Sequence, residues 1–182
     1  MKVGVIGTGT MGLGITQVFA NTEGYSVFLC GSSLASSERG KEKIRKQLSS
    51  RVERGKLSAQ DAETVMSRIT VGDMSICTDC DIVIEAVTEN METKRAVFQR
   101  LSPICRPNCI FASDTSSLSI TEIAVGIEQP VIGMHFFNPA PIMKLVEVSS
   151  GLNTPEETVR RVMEIAEAIG KTPVEVKETA GF

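Results

Sequence analysis

The sequence predicts an α/β fold, a doubly wound and mostly parallel sheet with helices on both faces. Three observations carry that prediction. Short apolar runs alternate with stretches of helical periodicity along most of the 182 residues, as in strand–helix–strand units. Several runs, such as Val27-Phe28-Leu29-Cys30 and Ile82-Val83-Ile84, are continuously apolar, as strands buried on both faces require. The first run, Val3-Gly4-Val5-Ile6, meets glycines at 7, 9 and 12 and then a helical pattern, the setting in which a G-x-G-x-x-G turn binds a dinucleotide.

The glycine turn marks the fold as Rossmann-type. Gly7 allows the tight turn, Gly9 lets a pyrophosphate approach the backbone, and Gly12 lets helix pack closely on strand. Thr8, Thr10 and Met11 complete the loop, and the helix N-terminus after it favours phosphate charge. Met11, Ile15, Val18 and Phe19 recur at helical spacing and should face the sheet, with Gly24 ending the element. The strand at 27–30 should end in an acid that holds the adenosine ribose, but Gly31-Ser32-Ser33 stands there instead. A glycine and two hydroxyls in that place, with Arg39 following, favour NADP over NAD, because an acid would repel the 2′-phosphate and arginine meets it bidentately. NAD with its ribose held less specifically is the alternative.

A helix is expected over 34–54, with Ile44, Leu48 and Val52 on one stripe and Gly55 as its stop. Ser58 reads as the N-cap of a second helix reaching 68, with Asp61 in the capping-box position. Residues 1–182 are therefore read as one dinucleotide-binding domain with a helical insertion around 34–68. Residues 39–56 hold eight basic side chains and two acids, a net +6 in a chain whose total is −3. That segment is either a solvated helix face or a site for an anionic ligand.

Strands are expected at 69–71, 81–87 and 109–112, with Asn90 capping a helix over 91–101 and Pro103 and Pro107 closing it. The polar stretch Ser113-Asp114-Thr115-Ser116-Ser117 follows a strand, on the sheet edge where open α/β folds bind ligands. A short helix is expected over 120–125, then a strand at 131–134 leading into His135-Phe136-Phe137-Asn138-Pro139. Residues 144–148 extend again and contain Glu147. Thr154, Pro155 and Glu157 read as N-cap, first position and capping box of a helix that buries Val159, Val162, Met163, Ala166 and Ile169. A short strand at 173–176 closes the pattern.

The net charge of −3 gives no overall reason to expect nucleic acid as a partner. No apolar run has the length of a membrane span. Five cysteines and a start at Met1-Lys2 that leads straight into a strand are expected of a reducing, cytoplasmic location. Cys77 and Cys80 form one close pair, and Cys105 with Cys109 is the only second pair available to zinc. Cys109 opens an apolar strand, so the thiols are read as structural and no metal is expected.

His135 is the only histidine, and it stands near a strand end on the ligand edge. Glu147, in the next extended segment, is within reach of its ring, and such a pair sets the tautomer of a general base. In order along the chain come Gly7-Thr8-Gly9-Thr10-Met11-Gly12, Ile84-Glu85-Ala86-Val87, Thr115-Ser116-Ser117-Leu118-Ser119-Ile120, Gly133-Met134-His135-Phe136-Phe137-Asn138-Pro139-Ala140-Pro141 and Met143-Lys144-Leu145-Val146-Glu147-Val148. Over essentially its whole length the sequence resembles the NAD-binding domain of the 3-hydroxyacyl-CoA dehydrogenases, notably the bacterial 3-hydroxybutyryl-CoA enzymes.

The resemblance implies reversible hydride transfer between a nicotinamide cofactor, NAD or NADP, and C3 of a short-chain 3-hydroxyacyl-CoA. It implies His135 as general base, Glu147 as its orienting partner and Ser116 as a hydrogen-bond donor to the reacting oxygen. It places Asn138 beside the nicotinamide end, Glu89 and Lys94 near the cofactor ribose, and Gly31 and Ser32 at the adenosine end. It gives the basic segment a candidate ligand in the CoA phosphates, with Arg54 as a contact. It also implies partnership with a C-terminal helical domain and a homodimer in the full enzyme. A free-standing dinucleotide-binding or sensing module without turnover is the alternative. Gly31 stands for the family's usual aspartate, Asp114 for its usual asparagine, and Ala180 for its usual proline.

Overall fold

The computed structural model describes residues 1–177. Its strands are β1 (Lys2–Ile6), β2 (Ser26–Cys30), β3 (Ile69–Gly72), β4 (Ile82–Glu85), β5 (Ile110–Ser113), β6 (Val131–Phe136), β7 (Leu145–Ser150) and β8 (Thr172–Lys177). They form one sheet in the order β3-β2-β1-β4-β5-β6-β7-β8. Every neighbouring pair is parallel except β6 with β7. The chain winds outward from β1 in one direction, then returns to β4 on the other side. The crevice outside the carboxyl ends of β1 and β4 is therefore the switch point at which such sheets take ligands.

The helices are α1 (Thr10–Ala20), α2 (Leu34–Glu53), α3 (Ala59–Ser67), α4 (Met91–Leu101), α5 (Ile120–Ile123) and α6 (Glu156–Ala168). Alternate strand residues feed two cores. Val3, Val5, Ile82 and Ile84 pack with Ile15 of α1, Ile44 and Leu48 of α2 and Val162 and Ile165 of α6. Val83 and Phe111 face the other way, toward Val97, Phe98 and Leu101 of α4. Both faces are covered, which is why the central strands read as uninterrupted apolar runs.

Local chemistry sets several boundaries. Ser58 caps α3 by accepting from the Asp61 N–H at 3.0 Å, and Asp61 answers through the Ser58 hydroxyl at 2.6 Å. Asn90 caps α4 by accepting from the Thr93 N–H at 2.9 Å. The helical stretch over 34–68 is the crossover that joins β2 to its parallel neighbour β3.

Other boundaries differ from the sequence reading. α1 ends at Ala20, and Gly24, at φ 84°, turns the chain that follows it. β4 stops at Glu85, and α5 is a single turn that ends before Val125. Thr154 does not cap α6; its hydroxyl donates to Val131 O at 2.6 Å and accepts from the Gly151 N–H, tying the loop to β6. The helix then starts one residue later, with Pro155 as N-cap and no side-chain cap bond. Its buried face is Thr158, Val162, Ile165 and Ala166, with Val159 and Met163 only partly covered.

All five cysteines are free and buried, and all five belong to the α4 side of the core. Cys30 and Cys77 bring their sulfurs to 3.8 Å. Burial among other thiols pushes Cys77, Cys80 and Cys109 well above the ordinary thiol range, which makes them poor nucleophiles. Among the described residues, no group of three or more His, Cys, Asp or Glu side chains can hold a metal ion. No helix among them is long and apolar enough to cross a membrane. Ala180 lies outside the described residues.

Candidate active site

The β1–α1 turn explains its own glycines. Gly7 has φ +126°, a conformation that L side chains rarely adopt, and a Cβ there would overlap the Ala86 carbonyl. A Cβ at Gly12 would overlap the Gly7 carbonyl oxygen, so strand and helix meet only through glycine. Gly9 is different, because nothing lies within 4 Å of the place its Cβ would fill. That open cradle borders a cavity of about 680 Å³ lined by Gly7 to Met11, Ala86 to Glu89, Ser116 and His135 to Asn138. α1 begins without a side-chain cap, leaving its first N–H groups available to an anion. The cradle fits a pyrophosphate.

His135 and Glu147 meet because β6 and β7 run antiparallel and pair them directly in register. Directly opposed residues project from the same face of the sheet, and His135 Nδ1 lies 2.9 Å from Glu147 Oε2. An ionised carboxylate can only accept, so the proton of this bond sits on Nδ1 and the lone pair is left on Nε2. Both side chains are about one-fifth exposed, at 19% and 20%. The Phe137 ring packs on the imidazole with centroids 4.5 Å apart. The ring is thus oriented from behind and from one side.

Ser116 is held by Glu89, whose Oε1 accepts from the Ser116 N–H at 3.0 Å and from the Thr115 hydroxyl at 2.5 Å. Burial raises the Glu89 carboxyl, but the Thr115 bond and the Lys94 charge outweigh it and hold the group below its ordinary range. The Lys94 side chain is fully buried and does not itself line the cavity. Its Nζ donates to Glu85 at 2.8 and 3.1 Å and lies 3.2 Å from Glu89. Lys94 is thus joined to the cavity wall through Glu89. Glu85 also accepts from the Ser113 hydroxyl at 2.7 Å and the Val87 N–H at 2.7 Å, and burial pushes its carboxyl up against the pull of Lys94. A buried pair without such bonds would be costly.

Ser32 lines the cavity, whereas neither Gly31 nor Arg39 does. A Cβ at Gly31 would come 2.8 Å from Ser36 Oγ and 2.9 Å from Ser36 Cβ, so packing against α2 keeps this position small. Ser33 accepts from the Ser36 N–H as the α2 N-cap.

Arg54 belongs to a second groove of about 910 Å³, walled by α1, α2 and the segment from Asn138 to Ile142. Lys43, Lys46, Arg51 and Arg54 line it, while Lys41 bonds Ile69 O and Arg45 pairs with Glu42 and Glu63. The basic segment is thus divided between a groove wall and a solvated face. Thr8, Gly9, Thr10 and Asn138 line both cavities, so the two are continuous at the glycine loop.

Two supporting groups escape a reading by sequence. Glu85 is marked there only as an acid inside an apolar run. Lys171 is nearly buried, and its Nζ donates to Ala140 O at 2.5 Å and Met143 O at 2.7 Å, pinning the loop after Asn138; nothing local signals that.

Comparison with known proteins agrees with this geometry. Residues 2–179 match the family model described as "3-hydroxyacyl-CoA dehydrogenase, NAD binding domain". The chain is 46% identical over 183 residues to the 3-hydroxyadipyl-CoA dehydrogenase of Escherichia coli K12, covering 99% of this chain and 38% of that protein. It is 45% identical over 184 residues to a probable 3-hydroxybutyryl-CoA dehydrogenase of Bacillus subtilis, covering 100% of this chain and 64% of that protein. The crystal structure of a 3-hydroxybutyryl-CoA dehydrogenase from Escherichia coli K12 superposes with a TM-score of 0.94 at 44% identity, over all of this chain and 39% of that one. The chain thus spans only part of the length of each of these relatives.

Proposed function

The chain belongs to the 3-hydroxyacyl-CoA dehydrogenase family through its NAD-binding domain, and from that premise we propose that it transfers a hydride between a nicotinamide cofactor and C3 of a short-chain 3-hydroxyacyl-CoA or 3-oxoacyl-CoA. The observation that carries the reading is the His135–Glu147 pair at 2.9 Å on the wall of the glycine-loop cavity. When bound, the nicotinamide supplies the hydride chemistry; the other roles fall to the chain. His135 Nε2 takes the 3-hydroxyl proton in the oxidising direction and returns it in the other, an exchange worth about 10²–10⁴-fold. Glu147 holds the ring in that tautomer and stabilises the imidazolium, and Ser116 donates to the reacting oxygen.

The glycine loop holds the pyrophosphate, with Asn138 toward the nicotinamide, Glu89 toward its ribose and Ser32 at the adenosine end. Arg54, Lys43 and Lys46 hold the CoA phosphates along the second groove, which leads into the first at Gly9 and Asn138. At Gly31-Ser32 no acid opposes a 2′-phosphate, so NADPH binds at least as tightly as NADH. The helical domain of the family completes the cleft, in cis or as a separate chain, and supports a homodimer.

The test is acetoacetyl-CoA reduction, followed by loss of NADH or NADPH absorbance, with the chain alone and with a helical domain supplied. Turnover should rise strongly when that domain is present, and His135→Ala should abolish it while cofactor affinity stays within about twofold. Tight cofactor binding without turnover in either case would favour the binding module. A clear preference for NADH would refute the cofactor assignment.

A further inference from the structure

The carboxyl tips of β4, β5 and β6 meet at Asp114. Its backbone N–H donates to Glu85 O at 2.8 Å, and its Oδ1 accepts from the Phe136 N–H at 2.9 Å. The carboxylate is therefore clamped on the rigid sheet edge, one residue from the strand end. Among the described residues no donor reaches Oδ2, and that oxygen is not sealed in the interior. Asp114 lines the same cavity as Ser116, His135 and Asn138. An acceptor with a free oxygen thus faces the space assigned to the nicotinamide end.

We propose that Asp114 is a specificity-determining residue that reads the charge of the nicotinamide ring, favouring the oxidised cofactor over the reduced one while its carboxylate is ionised. The proposal rests on the dehydrogenase reading, which puts the ring beside His135. The oxidised ring carries a positive charge and the reduced ring does not, and a fixed, partly buried carboxylate attracts only the former. An amide at this position would offer the same acceptor to Phe136 without the charge.

Several charged groups surround Asp114. Glu85 of β4 and Lys94 of α4 lie beneath it, Glu89 lies on the loop after β4, and His135 of β6 is backed by Glu147 of β7. Burial pushes the Asp114 carboxyl up to about 6, against the Phe136 N–H and the charges of His135 and Lys94. The preference for the oxidised cofactor should therefore fade as pH falls through that value. Histidine side chains ordinarily titrate in the same window, so an Asp114 variant is needed to separate the two groups.

The experiment measures dissociation constants of the full chain for oxidised and reduced cofactor by calorimetry between pH 5 and pH 8. For the wild type, the affinity ratio of oxidised to reduced cofactor should rise by about tenfold across that range, the size of one nearby charge at partial burial. For Asp114→Asn it should stay flat at the low-pH value. A wild-type ratio that does not change with pH, or an Asp114→Asn ratio equal to the wild type at pH 8, overturns the proposal. Failure of the wild type to bind either cofactor overturns the dehydrogenase reading and this proposal together; binding with an unchanged ratio overturns this proposal alone.

Discussion

Asp114 carries a stability consequence apart from any ligand. Its carboxyl is raised from 3.8 to about 6 in the folded chain, so folding favours the protonated form. The stability it contributes is full below pH 4 and is lost as pH rises through 6. Holding the ionised group in that place at neutral pH costs on the order of 2–3 kcal/mol, since each tenfold change in a proton equilibrium corresponds to about 1.4 kcal/mol. Asp114→Asn keeps the acceptor for Phe136 and removes the charge. It should raise the urea midpoint at pH 8 and leave it nearly unchanged at pH 4, as denaturation at the two values would show. An Asn variant destabilised at pH 8 would mean that the ionised carboxylate has a partner beyond the Phe136 N–H. The importance of this residue is only half legible in the chain, because an aspartate in a polar loop looks solvated until its burial is known.

Among the elements, the β1–α1 turn separates two kinds of glycine. Gly12 is required by the fold, since its Cβ would overlap the Gly7 carbonyl, whereas Gly9 faces open space. Gly12→Val should lower the melting temperature by many degrees, a backbone clash belonging to the strongly destabilising class of substitutions. Gly9→Val should melt within a few degrees of the wild type and lose at least about tenfold in cofactor affinity, which calorimetry can follow. Equal loss of stability in both variants would contradict the assignment of Gly9 to the ligand. Spacing alone identifies this turn, and the caps at Ser58 and Asn90 are equally legible, because such signals act over three or four residues. The role of Thr154 is not, because its hydroxyl finds Val131 O, a partner 23 residues away in sequence.

Across the molecule as a whole, charge is unevenly placed. The +6 segment sits beside a chain that is otherwise negative, and four of its basic residues line the groove beside the glycine loop. Reversing two of them, Lys46→Glu with Arg54→Glu, should weaken binding of coenzyme A by at least about tenfold at low salt and by less at high salt, as screening predicts. Reduced cofactor should bind as before. A matching loss of both ligands would mean that the two grooves are one site.

Periodicity and turn chemistry are local, and they suffice for the fold class, the glycine loop, the succession of strands along the chain and the naming of His135 and Glu147 as candidates; Ser116 comes only from the family resemblance. Which groups touch is a matter of tertiary contact. Antiparallel pairing of β6 with β7 puts Glu147 behind His135. The meeting of β4, α4 and the loop after β4 buries Lys94 under Glu89, and Asp114 keeps one oxygen free in the same cavity. Desolvation and Coulomb attraction depend on distance and burial between elements far apart in sequence, and residue spacing along the chain carries neither quantity.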